Sequence, residues 1–326
     1  MKEKIRKIIL ILCIITFVLS VAGIIVYFVL HNAGEQDYKD VADIAGLGNI
    51  DKIEAPKNDP VTVPETPSQD TPSTPEQPET PTQPENPNET PETPTAPSYE
   101  EEEEERIYVE YTESPKALLS SDPIAEALSQ TTFAALTEKN SDTIGWIYMP
   151  GTEINYPIVQ TDNNDFYLNH TFEKLWNGTI GSIYMDYRND PTMEDFHTII
   201  YGHNLSGGSM FSDLNKFLTD ANYWKEHRSL YIATIGGKVY RYDVYAACEA
   251  DVTGHTYRLG LEDDSGKLAY INYCINQSAI RPGVVPQVSE KVLTLSTCTG
   301  HGHHSRCVVQ AVRNVEFVES EEDLES

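Results

Sequence analysis

Residues 291–313 read KVLTLSTCTGHGHHSRCVVQAVR, and the fold depends on how that stretch divides. Lys291 to Thr297 and Cys307 to Arg313 carry the Val, Leu and Thr content of β-strands, and the Gly- and His-rich stretch between them reads as a loop. If the two runs pair antiparallel, Cys298 at the end of one lies beside Arg306 at the start of the next. A thiol next to a permanent cation makes a nucleophile pair. The guanidinium favours the thiolate and can stabilise an oxyanion at an attacked carbonyl.

The same stretch admits two other readings. Cys298, His301, His303, His304 and Cys307 are zinc-type ligands, but the order C-x2-H-x-H-H-x2-C matches no standard zinc spacing and would consume Cys298, so no metal site is expected. A Cys298–Cys307 disulfide across the hairpin would abolish nucleophilicity, and Cys307 is expected to point into the core instead. Cys248 and Cys274 lie in apolar runs and read as buried thiols.

A thiol nucleophile also needs a proton acceptor, normally a histidine from elsewhere in the chain. His203, in HTIIYGHN at 197–204, follows the apolar run Thr198 to Tyr201 just after Gly202, at the mouth of a strand. His197 begins that run and reads as a surface residue.

The rest of the globular part repeats the β pattern. TIGWIYM, YPIVQ, GSIYMDY, HTIIYGH, SLYIATI and KVYRYDVYAAC precede the pair KVLTLST and RCVVQAVR, with Gly, Asn and Asp turns between them. Helical spacing is confined to SDPIAEALSQTTFAALTEKN, with a Ser-Asp-Pro start, to GSMFSDLNKFLTDANYWKEH, and to DDSGKLAYINYCINQSA, with Ser265 as an N-cap candidate. Seven or eight short strands with few helices predict a mainly β domain, a closed or nearly closed barrel, over residues 114–318.

The ends of the chain carry a different signal. Ile8 to Leu30 is free of formal charge, about the ~20 residues that cross a bilayer core. Lys2, Lys4, Arg6 and Lys7 precede it and Glu35, Asp37 and Asp40 follow it. By the positive-inside rule residues 1–7 are cytoplasmic, 8–30 form a transmembrane anchor in contact with lipid, and the remainder is exported. A cleaved signal peptide, the competing reading, has a shorter apolar region of about 7–15 residues and a small-x-small site, which His31-Asn32-Ala33-Gly34 does not supply.

Residues 31–113 read as a disordered extracellular linker, a Pro/Thr/Glu-rich stalk too poor in apolar residues to form a core, and 319–326 as an acidic tail. The formal net charge of −28 concentrates there: residues 51–114 contribute −15 and residues 315–326 contribute −6. The globular part is only mildly acidic, and nucleic acid is excluded as a partner.

With these residues assembled, the chain resembles the class B sortases. The resemblance rests on TLSTC with an arginine leading the next strand and on YGHN about ninety residues upstream. GWIYMPGTEINYPIVQTDNNDFYLNHTF, GSIYMDYRND and IIYGHNLSGGSMFSDLNKF occur in matching order. It implies an eight-stranded sortase-type barrel with a few flanking helices, and it implies catalytic roles for His203, Cys298 and Arg306. It also implies that Asn164, Leu168 and Ser296 line the substrate groove. Thr299-Gly300 after the nucleophile and a shorter loop before the arginine depart from the class B pattern.

The activity so implied is that of a membrane-anchored cysteine transpeptidase needing no cofactor. It would cleave a C-terminal sorting signal of surface or pilin proteins after Thr and transfer the acyl group to a peptidoglycan-precursor or pilin amine. Two alternatives use the same features: a cysteine peptidase or cell-wall amidase transferring to water, and a stalked surface binding module. The second has no need of a thiol, an imidazole and a guanidinium at strand mouths.

Overall fold

The computed structural model describes residues 2–54, 122–205, 207–300 and 304–317. Eight strands form a closed barrel in the order β1-β2-β3-β4-β7-β8-β6-β5. They are β1 (Thr143–Tyr148), β2 (Asn155–Val159), β3 (Ile183–Met185), β4 (His197–Tyr201), β5 (Ser229–Thr234), β6 (Val239–Asp251), β7 (Val292–Cys298) and β8 (Ser305–Phe317). Each falls within one of the eight β-like runs or extends it by a few residues. All neighbouring pairs are antiparallel except β2 with β3 and β4 with β7. β1 pairs with β5, which closes the barrel and leaves no free edge.

The helices pack outside the strands. α1 (Lys2–Ile44) is one continuous helix, followed by a short 3-10 turn at Ile50–Lys52. α2 (Pro123–Ser129) starts as its sequence dictates: Asp122 caps it by accepting from the backbone N–H of Ile124 and Ala125, with Pro123 at the first helical position. The chain breaks at Gln130–Thr132 before α3 (Phe133–Lys139). The 208–227 region, expected to supply one helix, contains a 3-10 turn followed by two single turns, α4 (Lys216–Thr219) and α5 (Tyr223–Glu226). α6 (Asp264–Gln277) is capped by Asp263, whose carboxylate accepts from Gly266 N, rather than by Ser265. These coverings explain why β1 is buried on both faces.

Two expectations are corrected. His197 is not a surface residue: it is 3% exposed, bonded through Nδ1 to the Arg258 carbonyl and through Nε2 to Thr294 and Tyr270. Burial lowers its pKa to about 4, so the neutral ring is the stable form inside the barrel.

The second correction concerns residues 31–54, which are not linker. α1 runs through them, and Tyr38, Val41, Ala42, Ala45, Leu47 and Ile50 are buried in the main core. Val41, Leu47 and Ile50 each contribute roughly 1.5–3 kcal/mol of gross burial and the two alanines less, enough to hold a helix that its flanking acids had disguised. At Gly34 a Cβ would lie 2.8 Å from Ile180 Cγ2, so the helix approaches the barrel as closely as glycine permits. The remainder of the proposed linker, 55–113, and the tail 319–326 lie outside the described residues.

Candidate active site

Register positions the site. β4 and β7 are parallel, with Tyr201 opposite Ser296, and Gly202 N donates to Ser296 O. Two residues further along each strand, His203 and Cys298 leave the barrel at the same mouth. β7 and β8 are antiparallel with Cys298 directly opposite Arg306. All three residues line one cleft of about 490 Å³. Asn164, Leu168 and Ser296, the other residues singled out in the sequence, line it too.

Each of the three is held from a different side. The Cys298 carbonyl accepts from the side-chain amides of Asn204 (2.8 Å) and Asn215 (3.3 Å), which fixes the end of β7, and the thiol is free and part-exposed. His203 Nε2 lies 2.7 Å from the Leu168 carbonyl, and because a carbonyl only accepts, Nε2 carries the proton. Gly181, at φ +58°, packs so closely on the ring that a Cβ there would sit 2.8 Å from His203 Cδ2. The Arg306 Nη1 donates to Ser305 O at 3.0 Å, and its charge faces the Tyr184 and Tyr257 hydroxyls.

Sequence reasoning missed the floor of the cleft. Asp186 is fully buried, and its carboxylate accepts from Arg188 Nε and Nη2 (2.8 Å each), Tyr201 Oη (2.9 Å) and Asn164 Nδ2 (3.0 Å). Burial alone would raise its pKa, but the Arg188 bonds and the others outweigh that and hold it at about 2. Asn164 Oδ1 in turn accepts from Tyr187 N, so its amide is fixed at both ends. Tyr257 bonds Ser296 Oγ at 2.8 Å and stacks on Tyr201, and burial pushes its hydroxyl up to about 12. The only signal of this network in the sequence was an Asp two positions before an Arg in YMDYRND.

The alternative readings of the 298–307 hairpin fare differently. Cys307 is fully buried and free, its Sγ 3.3 Å from the Leu214 carbonyl, so no disulfide joins it to Cys298. His301 and His303 lie outside the described residues, and His304 is exposed. Among the described residues no three His, Cys, Asp or Glu side chains are grouped to hold a metal ion.

Residues 147–314 match the Sortase domain family model. The chain belongs to the sortase family, class B. Curated relatives include Sortase B of Listeria monocytogenes, 34% identical over 163 residues (50% of this chain and 65% of the relative). Sortase B of Staphylococcus aureus is 32% identical over 166 residues, 51% of this chain and 67% of the relative. The matched region thus spans about two thirds of these relatives.

Among solved structures, a Staphylococcus aureus sortase B–substrate complex superposes with a TM-score of 0.52 at 30% identity, covering 57% of this chain and 85% of that one. Sortase B from Bacillus anthracis in complex with AAEK1 superposes at 0.51 and 33% identity, covering 56% and 83%. The eight-stranded barrel is therefore a sortase barrel, and family membership implies a cysteine transpeptidase.

Proposed function

We propose that this sortase is anchored in a membrane by residues 8–30 and cleaves a C-terminal sorting signal after Thr, passing the acyl group to an amine. The observation that supports it best is the convergence of Cys298, His203 and Arg306 on one cleft from three adjacent strands.

The Cys298 thiolate attacks the threonine carbonyl. Arg306 bears the developing oxyanion charge, and His203 gives a proton to the leaving amine as the C–N bond breaks and a thioester forms. With Nε2 donating to Leu168, Nδ1 is the nitrogen that exchanges this proton. An incoming amine then attacks the thioester, returns its proton to His203 and releases the thiolate. Asn164, Leu168 and Ser296 hold the signal peptide along the groove.

The substrates are surface or pilin proteins, and the acceptor is a peptidoglycan-precursor or pilin amine on the outer face of a Gram-positive-type cell. The catalytic domain is extracellular and the N-terminus cytoplasmic. The anchor reading draws on a helix long and apolar enough to cross a bilayer, near the N-terminus and with its apolar part exposed. No step calls for a cofactor.

The test is mass analysis of enzyme incubated with peptides containing a Thr-Gly or Thr-Asn bond. Wild type should gain the mass of the N-terminal fragment on Cys298, and an added amine should divert product from free acid to amide. Cys298→Ala should neither acylate nor cleave while keeping its circular dichroism spectrum. Cleavage by the folded alanine variant would remove Cys298 as nucleophile, and product that stays free acid at saturating amine would favour the peptidase reading.

A further inference from the structure

The loop between β2 and β3 presents two large apolar side chains to solvent, Leu175 at 57% exposure and Trp176 at 68%. Among the described residues outside α1 they are the only adjacent pair of exposed large hydrophobics. The tip is not a loose excursion. Thr171 N donates to Leu175 O (2.9 Å), Lys174 N to Thr171 O (2.9 Å) and Asn177 N to Asn169 O (2.7 Å), while Trp176 bridges to His170. A turn tied this firmly holds the two side chains outward, where they add nothing to the core.

Its position along α1 indicates what covers it. The Asn177 side-chain amide donates to the carbonyl of Leu30 at 3.1 Å. Leu30 is the last residue of the apolar run that begins at Ile8. The residue next to Trp176 is therefore level with the end of the membrane-crossing segment. Tyr27, one turn earlier on α1, is 39% exposed and stacks on His31. Tyr and Trp concentrate at the boundary between hydrocarbon and headgroups, where a ring is half-buried and its polar atom stays wet.

We propose that Leu175 and Trp176 form a second membrane contact, seated in the headgroup boundary of the bilayer that α1 crosses. The proposal rests on the anchor reading above. Its consequence is for the active site. Tyr38, eight positions beyond Leu30, donates to the carbonyl of Gly181, the residue packed on the His203 ring. At about 1.5 Å per residue that is about 12 Å along the helix. The cleft thus opens close to the bilayer surface in a fixed orientation, next to where a membrane-tethered substrate emerges.

The experiment uses the full chain reconstituted in phosphatidylcholine–phosphatidylglycerol vesicles, with and without lipids brominated just below the glycerol backbone. Of the three tryptophans, Trp146 is fully buried and Trp224 is 8% exposed. The difference in emission between wild type and Trp176→Gln therefore reports on Trp176. That component should lose at least half its intensity to the brominated lipid, and aqueous iodide should quench it several-fold less than tryptophan amide. A component unaffected by bromine and fully accessible to iodide would overturn the proposal while leaving the anchor intact. Flotation of both proteins with the vesicles after alkaline wash checks the anchor separately, and failure to float would overturn the anchor reading and this proposal with it.

Discussion

Tyr38→Phe removes one oxygen from the interface between α1 and the barrel, and the structure says what that oxygen does. It donates to Gly181 O at 2.7 Å, lies 2.9 Å from Ser182 Oγ, and accepts from Phe172 N at 3.2 Å. All these groups are buried, and burial also pushes the Tyr38 pKa up, so it stays a neutral hydroxyl. Ser182 Oγ keeps its bond to His170 O, so the variant strands two groups, the Gly181 carbonyl and the Phe172 N–H. At about 1–3 kcal/mol for each buried unpaired group, stability should fall by about 2–6 kcal/mol.

The functional effect follows from the next contact. Gly181 and Leu168 cradle His203, so a relaxed 170–182 segment lets the imidazole move, and a shift of about 1 Å can cost about a hundredfold in rate. Peptide cleavage should show kcat reduced 10- to 100-fold per active site titrated through the Cys298 thiol, with KM within about threefold. Tyr240→Phe is the control. Its hydroxyl bonds Glu194 and its backbone pairs with Glu316, at the end of β8 away from Arg306. That variant should lose stability without losing turnover per site. If Tyr38→Phe lowers the melting temperature yet keeps kcat per titrated thiol within twofold of wild type, Tyr38 is only a structural clamp.

Three further outcomes are expected. Asp186, held at about 2 against an ordinary 3.8, supports the fold above pH 3.8 and loses that support as pH falls toward 2. The loss is about 2 kcal/mol, and urea unfolding of Asp186→Asn should lack that acid slope. His197, lowered from 6.5 to about 4 by burial, binds its proton more readily when unfolded, so stability should fall between pH 6.5 and pH 4. The drop is about 3 kcal/mol, and His197→Gln should flatten it in the same titration. Arg306→Lys keeps the charge but not the planar fork, so kcat should fall at least about tenfold with folding intact; a fully active Lys variant would mean that charge alone suffices.

The strands were legible because each is a run of Val, Ile, Tyr and Thr that the barrel buries, and burial is what selects such residues. The Cys298–Arg306 juxtaposition followed from a single hairpin, and a short-range pattern is visible in sequence. His197 was misread because what buries it comes from afar: the Arg258 carbonyl, Thr294 on β7 and Tyr270 on α6. Asp186 was passed over for a similar reason, since two of its three partner residues, Asn164 and Tyr201, belong to other elements. Tyr38, Val41, Ala42 and Ala45 do form an i, i+3, i+4, i+7 stripe, but Glu35, Asp37, Asp40 and Asp43 surround it and a proline tract follows. The face it packs on is more than a hundred residues away in sequence, so composition dominated the reading.

That misreading changes what the proline-rich segment can do. A stalk works in series: anchor at one end, domain at the other, with its length setting the domain's reach. Here the chain reaches the barrel before entering residues 55–121, through Tyr38 on Gly181 and through Thr132 N donating to Ala45 O at 3.1 Å. It re-enters at Asp122, which is 1% exposed and accepts from the Tyr231 hydroxyl at 2.7 Å. Both flanks belong to one packed unit. The segment therefore lies in parallel with the connection between α1 and the barrel, and lengthening it gives the cleft no added reach. If residues 8–30 cross a bilayer as proposed, the barrel's distance from it is set instead by the few turns of α1 between Leu30 and Tyr38, a stiff spacer with its far end hydrogen-bonded beside the imidazole.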